Sequence, residues 1–122
     1  MNQTIHLPHA ESLRFAKTIL EFDGEGCALV SCSFPHIPTK GMIIEAAAQA
    51  GAAFQSEQNG PRQGYLASVK EMTYYGDLTV TEYRINICQL HQINRYHEVR
   101  FELFSDAKEH ILATGTLTIV VE

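Results

Sequence analysis

From Gly41 to about Gln58 the chain reads GMIIEAAAQAGAAFQSEQ, and this stretch constrains the fold more than any other. Ala46, Ala47, Ala48, Ala50, Ala52 and Ala53 favour helix strongly. Thr39 is placed to cap the start, and Asn59-Gly60 followed by Pro61 supplies the stop. The helix is apolar or small on nearly every face until Gln55, so it has to be buried on several sides rather than laid on a surface. The rest of the 122 residues must therefore wrap it.

That remainder reads as strands. RFAKTILEFD (14–23) ends at the turn signal Asp23-Gly24, and GCALVSCSF then runs from Gly26 to Pro35, which makes a hairpin plausible. Pro35 and Pro38 leave PHIPTK as a loop. After the helix come GYLASVKEMTYYG, LTVTEYRINICQ from Leu78, EVRFELF and ILATGTLTIVVE. Alternation puts Tyr83, Ile85 and Ile87 on one face, as it does Val99, Phe101 and Leu103, and Leu117 and Ile119. Turns are expected at 92–95 and 105–109. Strand, strand, helix and four strands predict an α+β fold, a single domain over 1–122 with an antiparallel sheet around one helix.

The net charge of −5 argues against general affinity for nucleic acid or anionic membrane. No stretch is apolar for long enough to span a bilayer, and MNQTIHLPHAESLR has no signal-peptide core. Cys27, Cys32 and Cys88 are scattered and odd in number, which suggests neither a disulfide framework nor zinc, with a reducing cytoplasm as the default setting. His9, His91, His97 and His110 show no ligand spacing, so neither metal nor cofactor is expected.

Glu45 is the one carboxylate between Ser33 and Phe54, inside the alanine-rich part of the run. The helix start favours its negative charge, whereas apolar surroundings oppose it. A carboxyl held between these effects can be a general acid or base, or it can simply reach solvent. Gln49, one turn on, can hydrogen-bond Glu45 or be a satisfied core amide. Backbone N–H groups of Gly41, Met42 and Ile43 at the helix start can bind a carbonyl oxygen as negative charge develops on it, unless this is an ordinary helix entry. His36, on the entering loop, is a candidate base or a solvated surface residue.

SFPHIPTKGMIIEAAAQAGAA resembles the segment HFPxxPxxPGxxxxEAxAQAAG of the hotdog-fold 3-hydroxyacyl-acyl-carrier-protein dehydratases, the FabZ/FabA type. Leu7-Pro8-His9 is similar to the family's N-terminal LPH, GYLASVKEMTYY to its strand after the helix, and Gly76-Asp77-Leu78 to its PGD turn. The compact form is also similar to dehydratase-like proteins of aryl-polyene pathways. The resemblance implies a hotdog fold, with a central helix wrapped by five to six strands, and a dimer whose sheets join edge to edge. It further implies loss of water from a 3-hydroxyacyl thioester carried by acyl carrier protein or coenzyme A. A histidine of one subunit takes the C2 proton, and a helix carboxylate of the other assists loss of the C3 hydroxyl. Glu45 matches the carboxylate, Gln49 the glutamine, and the amides around Gly41 the oxyanion site.

The departure lies in Ser33-Phe34-Pro35, where Ser33 stands at the family's histidine position. A serine is no base at neutral pH without a base of its own. The usual Pro-Gly is Lys40-Gly41, and LPHAESLRFAK lacks the Arg and apolar run of the family's start. Four readings follow: a dehydratase with His36 as base; a half-site chain whose paralogous partner supplies the base; a thioesterase using Glu45 to activate water; and an acyl-binding protein without chemistry. Lys40, Arg62, Lys70, Arg95 and Arg100 are candidate contacts for an acidic carrier protein.

Overall fold

The computed structural model describes residues 3–4, 14–59, 64–105 and 110–121. The elements are β1 (Gln3–Thr4), β2 (Ala16–Phe22), β3 (Cys27–Ser33), α1 (Lys40–Asn59), β4 (Gly64–Tyr74), β5 (Glu82–Ile93), β6 (Tyr96–Ser105) and β7 (Ile111–Val121). All pair antiparallel in one sheet of order β1-β2-β3-β5-β6-β7-β4. The expected order of two strands, helix and four strands is what the chain forms, with the two-residue β1 added at one edge.

The helix is buried as its composition demands. Ile43, Ala46, Ala47, Ala50 and Phe54 are shut from solvent among Val30, Tyr83, Ile85, Ile87, Phe101, Leu103, Leu117 and Ile119 of the sheet. Small side chains allow this close approach. A Cβ added to Gly51 would collide with the Cδ1 of Ile119. Phe22 closes the far end of the helix by packing its ring on Phe54, centroids 5.2 Å apart.

The β2–β3 turn follows from Asp23 and two glycines. The Asp23 carboxylate accepts hydrogen bonds from the N–H groups of Glu25 (2.7 Å) and Cys27 (3.0 Å), while Gly24 and Gly26 take φ of 76° and 105°. These bonds hold the Asp23 carboxyl below its ordinary pKa. The β5–β6 turn is tighter than expected, Asn94-Arg95 alone, with Asn94 at φ 56°.

Two expectations need correction. β5 begins at Glu82 rather than Leu78, because Leu78 is spent on the core and the N–H of Val80 donates to the Tyr83 hydroxyl at 3.2 Å instead of to a strand. The cysteines are also not all free: Cys27 and Cys88 form a disulfide between β3 and β5. They lie 61 positions apart in sequence and face each other only through the sheet register. Cys32 alone is a free thiol, and burial pushes its pKa up to about 12.

β4 is bent by a bulge. Lys70 pairs with Thr116 and Thr73 with Thr114, so Glu71 and Met72 together oppose Gly115. Glu71 takes φ 58°, and Met72 folds over Gly115, where a Cβ would meet the Met72 sulfur and lie 2.6 Å from the Phe101 ring. Among the described residues no helix is long and apolar enough to cross a membrane.

Candidate functional site

The start of α1 is set by Thr39, which acts as N-cap. Its Oγ1 accepts the N–H of Met42 at 3.2 Å, and its carbonyl accepts that of Ile43 at 3.2 Å. Met42 and Ile43 were expected to offer free amide donors, and here the structure differs, because a cap satisfies the same orphan N–H groups that an oxyanion would use. The Gly41 N–H remains as the candidate donor. A Cβ built on Gly41 would meet only the Thr39 hydroxyl, at 3.9 Å, so little crowds the backbone there.

Glu45 lies in the second turn, half-buried. Gln49, only 1% exposed, donates its amide N–H to Glu45 Oε2 at 3.0 Å. Its oxygen accepts the backbone N–H groups of Phe15 (2.8 Å) and Ala16 (3.1 Å). An oxygen committed to two donors fixes which way the amide faces, so the Nε2 must point at the carboxylate. Gln49 is therefore a clamp between helix and β2 that also aims the acid. The spacing alone shows the Glu45–Gln49 pair; the anchors at the start of β2 emerge only in the fold.

Ser33 ends β3, and its hydroxyl donates to Glu82 Oε2 at 2.6 Å, since register places the two residues opposite one another. Glu82 was not anticipated, because no local pattern links positions 49 residues apart. Phe34, next in the chain, is sealed between Phe15 and Tyr83, with ring centroids at 4.9 and 5.8 Å. The chain then turns outward. His36 is exposed, with Nδ1 3.0 Å from the carbonyl of Ile37. That contact requires the proton on Nδ1, which leaves Nε2 of a neutral ring as the basic nitrogen.

A groove of about 540 Å³ opens beside the helix start, lined by Pro38, Thr39, Lys40, Tyr74, Tyr75, Gly76, Asp77 and Leu78. The Tyr74 hydroxyl donates to the carbonyl of Lys40 at 3.3 Å, and the Lys40 ammonium lies 4.7 Å above the Tyr74 ring. Burial raises the pKa of the Tyr74 hydroxyl. The residues 76–78, noticed for their turn, thus line one wall of this groove.

The candidate docking cations do not form one patch. Lys40 stands at the groove, whereas Arg95 tips the β5–β6 hairpin at the opposite end of the sheet. Lys70 is paired with Glu98 at 2.9 Å, which raises its own pKa and lowers that of Glu98. Arg100 is half-buried on β6. Arg62 and the Leu7-Pro8-His9 motif lie outside the described residues. Among the described residues no three His, Cys, Asp or Glu side chains are grouped as metal ligands would be.

No protein-family model matches the chain, and no curated protein sequence does. Solved structures match it in fold. The dehydratase heterocomplex ApeI:P from Xenorhabdus doucetiae is similar with a TM-score of 0.71, 14% identity, and coverage of 95% of this chain and 88% of that one. A hypothetical thioesterase with coenzyme A from Streptococcus pneumoniae TIGR4 gives a TM-score of 0.66 at 12% identity over 85% and 84%. A thioesterase from Haemophilus influenzae gives 0.67 at 11% identity over 85% and 76%. With its one long helix inside an antiparallel sheet, the chain has the hotdog fold.

Proposed function

We propose that this chain acts on 3-hydroxyacyl thioesters of an acyl carrier protein or coenzyme A as a dehydratase-type protein, with Glu45 as the acid that assists loss of the C3 hydroxyl. The observation that carries this reading is the Gln49 clamp: a half-buried carboxylate with a fixed donor, one turn from a helix start. The Gly41 N–H polarises the thioester carbonyl, which acidifies the C2 proton. An imidazole from a second chain removes that proton. It belongs to His36 of another copy, whose Nε2 is free to accept, or to a paralogous partner in a hetero-oligomer. The β4 edge of the sheet supports association through an added strand, in a homodimer or a higher assembly. Lys40, beside the groove, is the candidate contact for an acidic carrier protein, and the setting that suits such chemistry is cytoplasmic.

A second reading is favoured by Ser33. Its hydroxyl donates to Glu82, and the end of β3 carries no imidazole where the resembled family places its histidine. Glu45 would then activate water and the chain would be a thioesterase, a reading also supported by the thioesterases among its structural neighbours.

The test is an assay of the purified protein with a 3-hydroxyacyl thioester, following enoyl product and free thiol together, beside Glu45→Ala and His36→Ala. Enoyl product lost in both variants supports the dehydratase with His36 as base. Product that appears only on adding a paralogous chain, and vanishes with Glu45→Ala, supports the hetero-oligomer. Thiol release lost only in Glu45→Ala supports the thioesterase. Neither product, with any partner or chain length, overturns both.

A further inference from the structure

We propose that Cys27 and Cys88 are a reversible thiol–disulfide site, open on the outward face of the sheet to exchange with small thiols of the glutathione class. The placement follows from strand parity. Ala28, Val30 and Cys32 of β3 and Ile85 and Ile87 of β5 are buried against the helix. Cys27 and Cys88 have the opposite parity, so both project away from the core, and both are half-buried rather than sealed. A thiolate arriving from solvent meets the sulfur pair without entering the core, and access is one of the terms that sets the rate of exchange.

The ladder holds the two cysteines opposite whether or not they are bonded. β3 and β5 pair without a register shift from Cys27↔Cys88 to Ser33↔Glu82, with Cα atoms 4.1 Å apart at the cysteines. The surrounding backbone is tied independently: the Cys27 N–H donates to the Asp23 carboxylate at 3.0 Å, and the Gln89 N–H to the carbonyl of Gly26 at 2.7 Å. Reduction therefore leaves two neighbouring thiols on an intact sheet, poised to close again. The third cysteine does not interfere. Cys32 points into the core on the other face of β3, and its buried thiol stays protonated at neutral pH.

The step balances as ordinary exchange. A small thiolate attacks one protein sulfur, the Cys27–Cys88 bond breaks, and the other cysteine leaves as thiolate. A second small thiolate then attacks the mixed disulfide, giving the small-molecule disulfide and the second protein thiolate, with both protein thiolates taking up protons. Run in reverse, a small disulfide oxidises the pair and leaves as two thiols.

The full-length protein is treated with reduced glutathione in native buffer, alkylated with iodoacetamide, and mapped by mass spectrometry. The oxidised protein should take no label without denaturant. The reduced protein should take label at Cys27 and Cys88 while Cys32 stays unlabelled, and oxidised glutathione should remove that reactivity again. In Cys27→Ser, the remaining Cys88 should gain one glutathione. Label at Cys27 and Cys88 that appears only in denaturant, or a reduced pair that oxidised glutathione fails to close, overturns the proposal. The wild-type cycle decides the matter even where Cys27→Ser does not fold.

Discussion

Replacing Gln49 by leucine tests the clamp with little change of volume. Leucine fills the same space, so no large cavity complicates the reading. The N–H groups of Phe15 and Ala16 lose their acceptor in a region closed to solvent. Each orphaned buried donor costs about 1–3 kcal/mol, so the two together cost about 4 kcal/mol. For a domain of this size that corresponds to a fall in melting temperature of roughly 15 °C. Urea and thermal denaturation of Gln49→Leu beside the wild type measure it. Gln49→Glu separates the two roles, because it keeps an oxygen for Phe15 and Ala16 but loses the donor that faces Glu45. Two carboxylates then share one site, and one of them takes a raised pKa. A group whose folded pKa is raised in this way destabilises the fold above that pKa, so the deficit of Gln49→Glu should shrink as pH falls from 7 toward 4, whereas that of Gln49→Leu should not. A Gln49→Leu protein melting within about 2 °C of the wild type, well under 1 kcal/mol, would refute the reasoning.

Other expectations concern the frame around the site. Thr39→Ala should cost about 1 kcal/mol by removing the cap on Met42, read as a lower urea midpoint, with Thr39→Ser restoring most of it. Gly115→Ala should destabilise by about 1–3 kcal/mol, since its methyl would press on the Phe101 ring, which cannot yield as a flexible chain can. The depressed pKa of Asp23 contributes stability that is present above its unfolded value of 3.8 and lost as pH falls through the folded one. Asp23→Asn should therefore differ most from wild type near neutral pH and converge with it in acid, as a pH series of thermal melts would show.

The helix was legible because alanine content and burial say the same thing: a run with no polar face has only the core to occupy. The strands β5, β6 and β7 were legible from alternation, and Val99, Phe101, Leu103, Leu117 and Ile119 are buried as their parity required. What could not be read depends on register. Cys27 meets Cys88, and Ser33 meets Glu82, through the same β3–β5 ladder, and nothing local to either partner specifies that alignment. Gln49 is intermediate: its contact with Glu45 follows from helical spacing, whereas its anchors on Phe15 and Ala16 belong to the tertiary fold. The Thr39 cap was visible in the sequence, but the competition between that cap and an oxyanion for the same Met42 amide became clear only with the hydrogen bonds in view.

The bulge at Glu71-Met72 acts as a phase shifter for the groove. Before it, Val69 faces the core opposite Leu117; after it, Tyr74 faces the core opposite Ala113, although five positions separate two residues that an unbroken strand would point to opposite sides. Because the bulge absorbs one of those five positions, the Tyr74 ring lies toward Lys40 and Thr73 stays outside. The wall of the groove is thus addressed by counting rather than by side-chain identity. A one-residue deletion between Val69 and Thr73 would leave the even spacing that keeps Val69 and Tyr74 on one side of an unbroken strand, so the bend would be lost while tyrosine kept its place on that wall. A register that took both Glu71 and Met72 into the ladder would instead exchange tyrosine for threonine there.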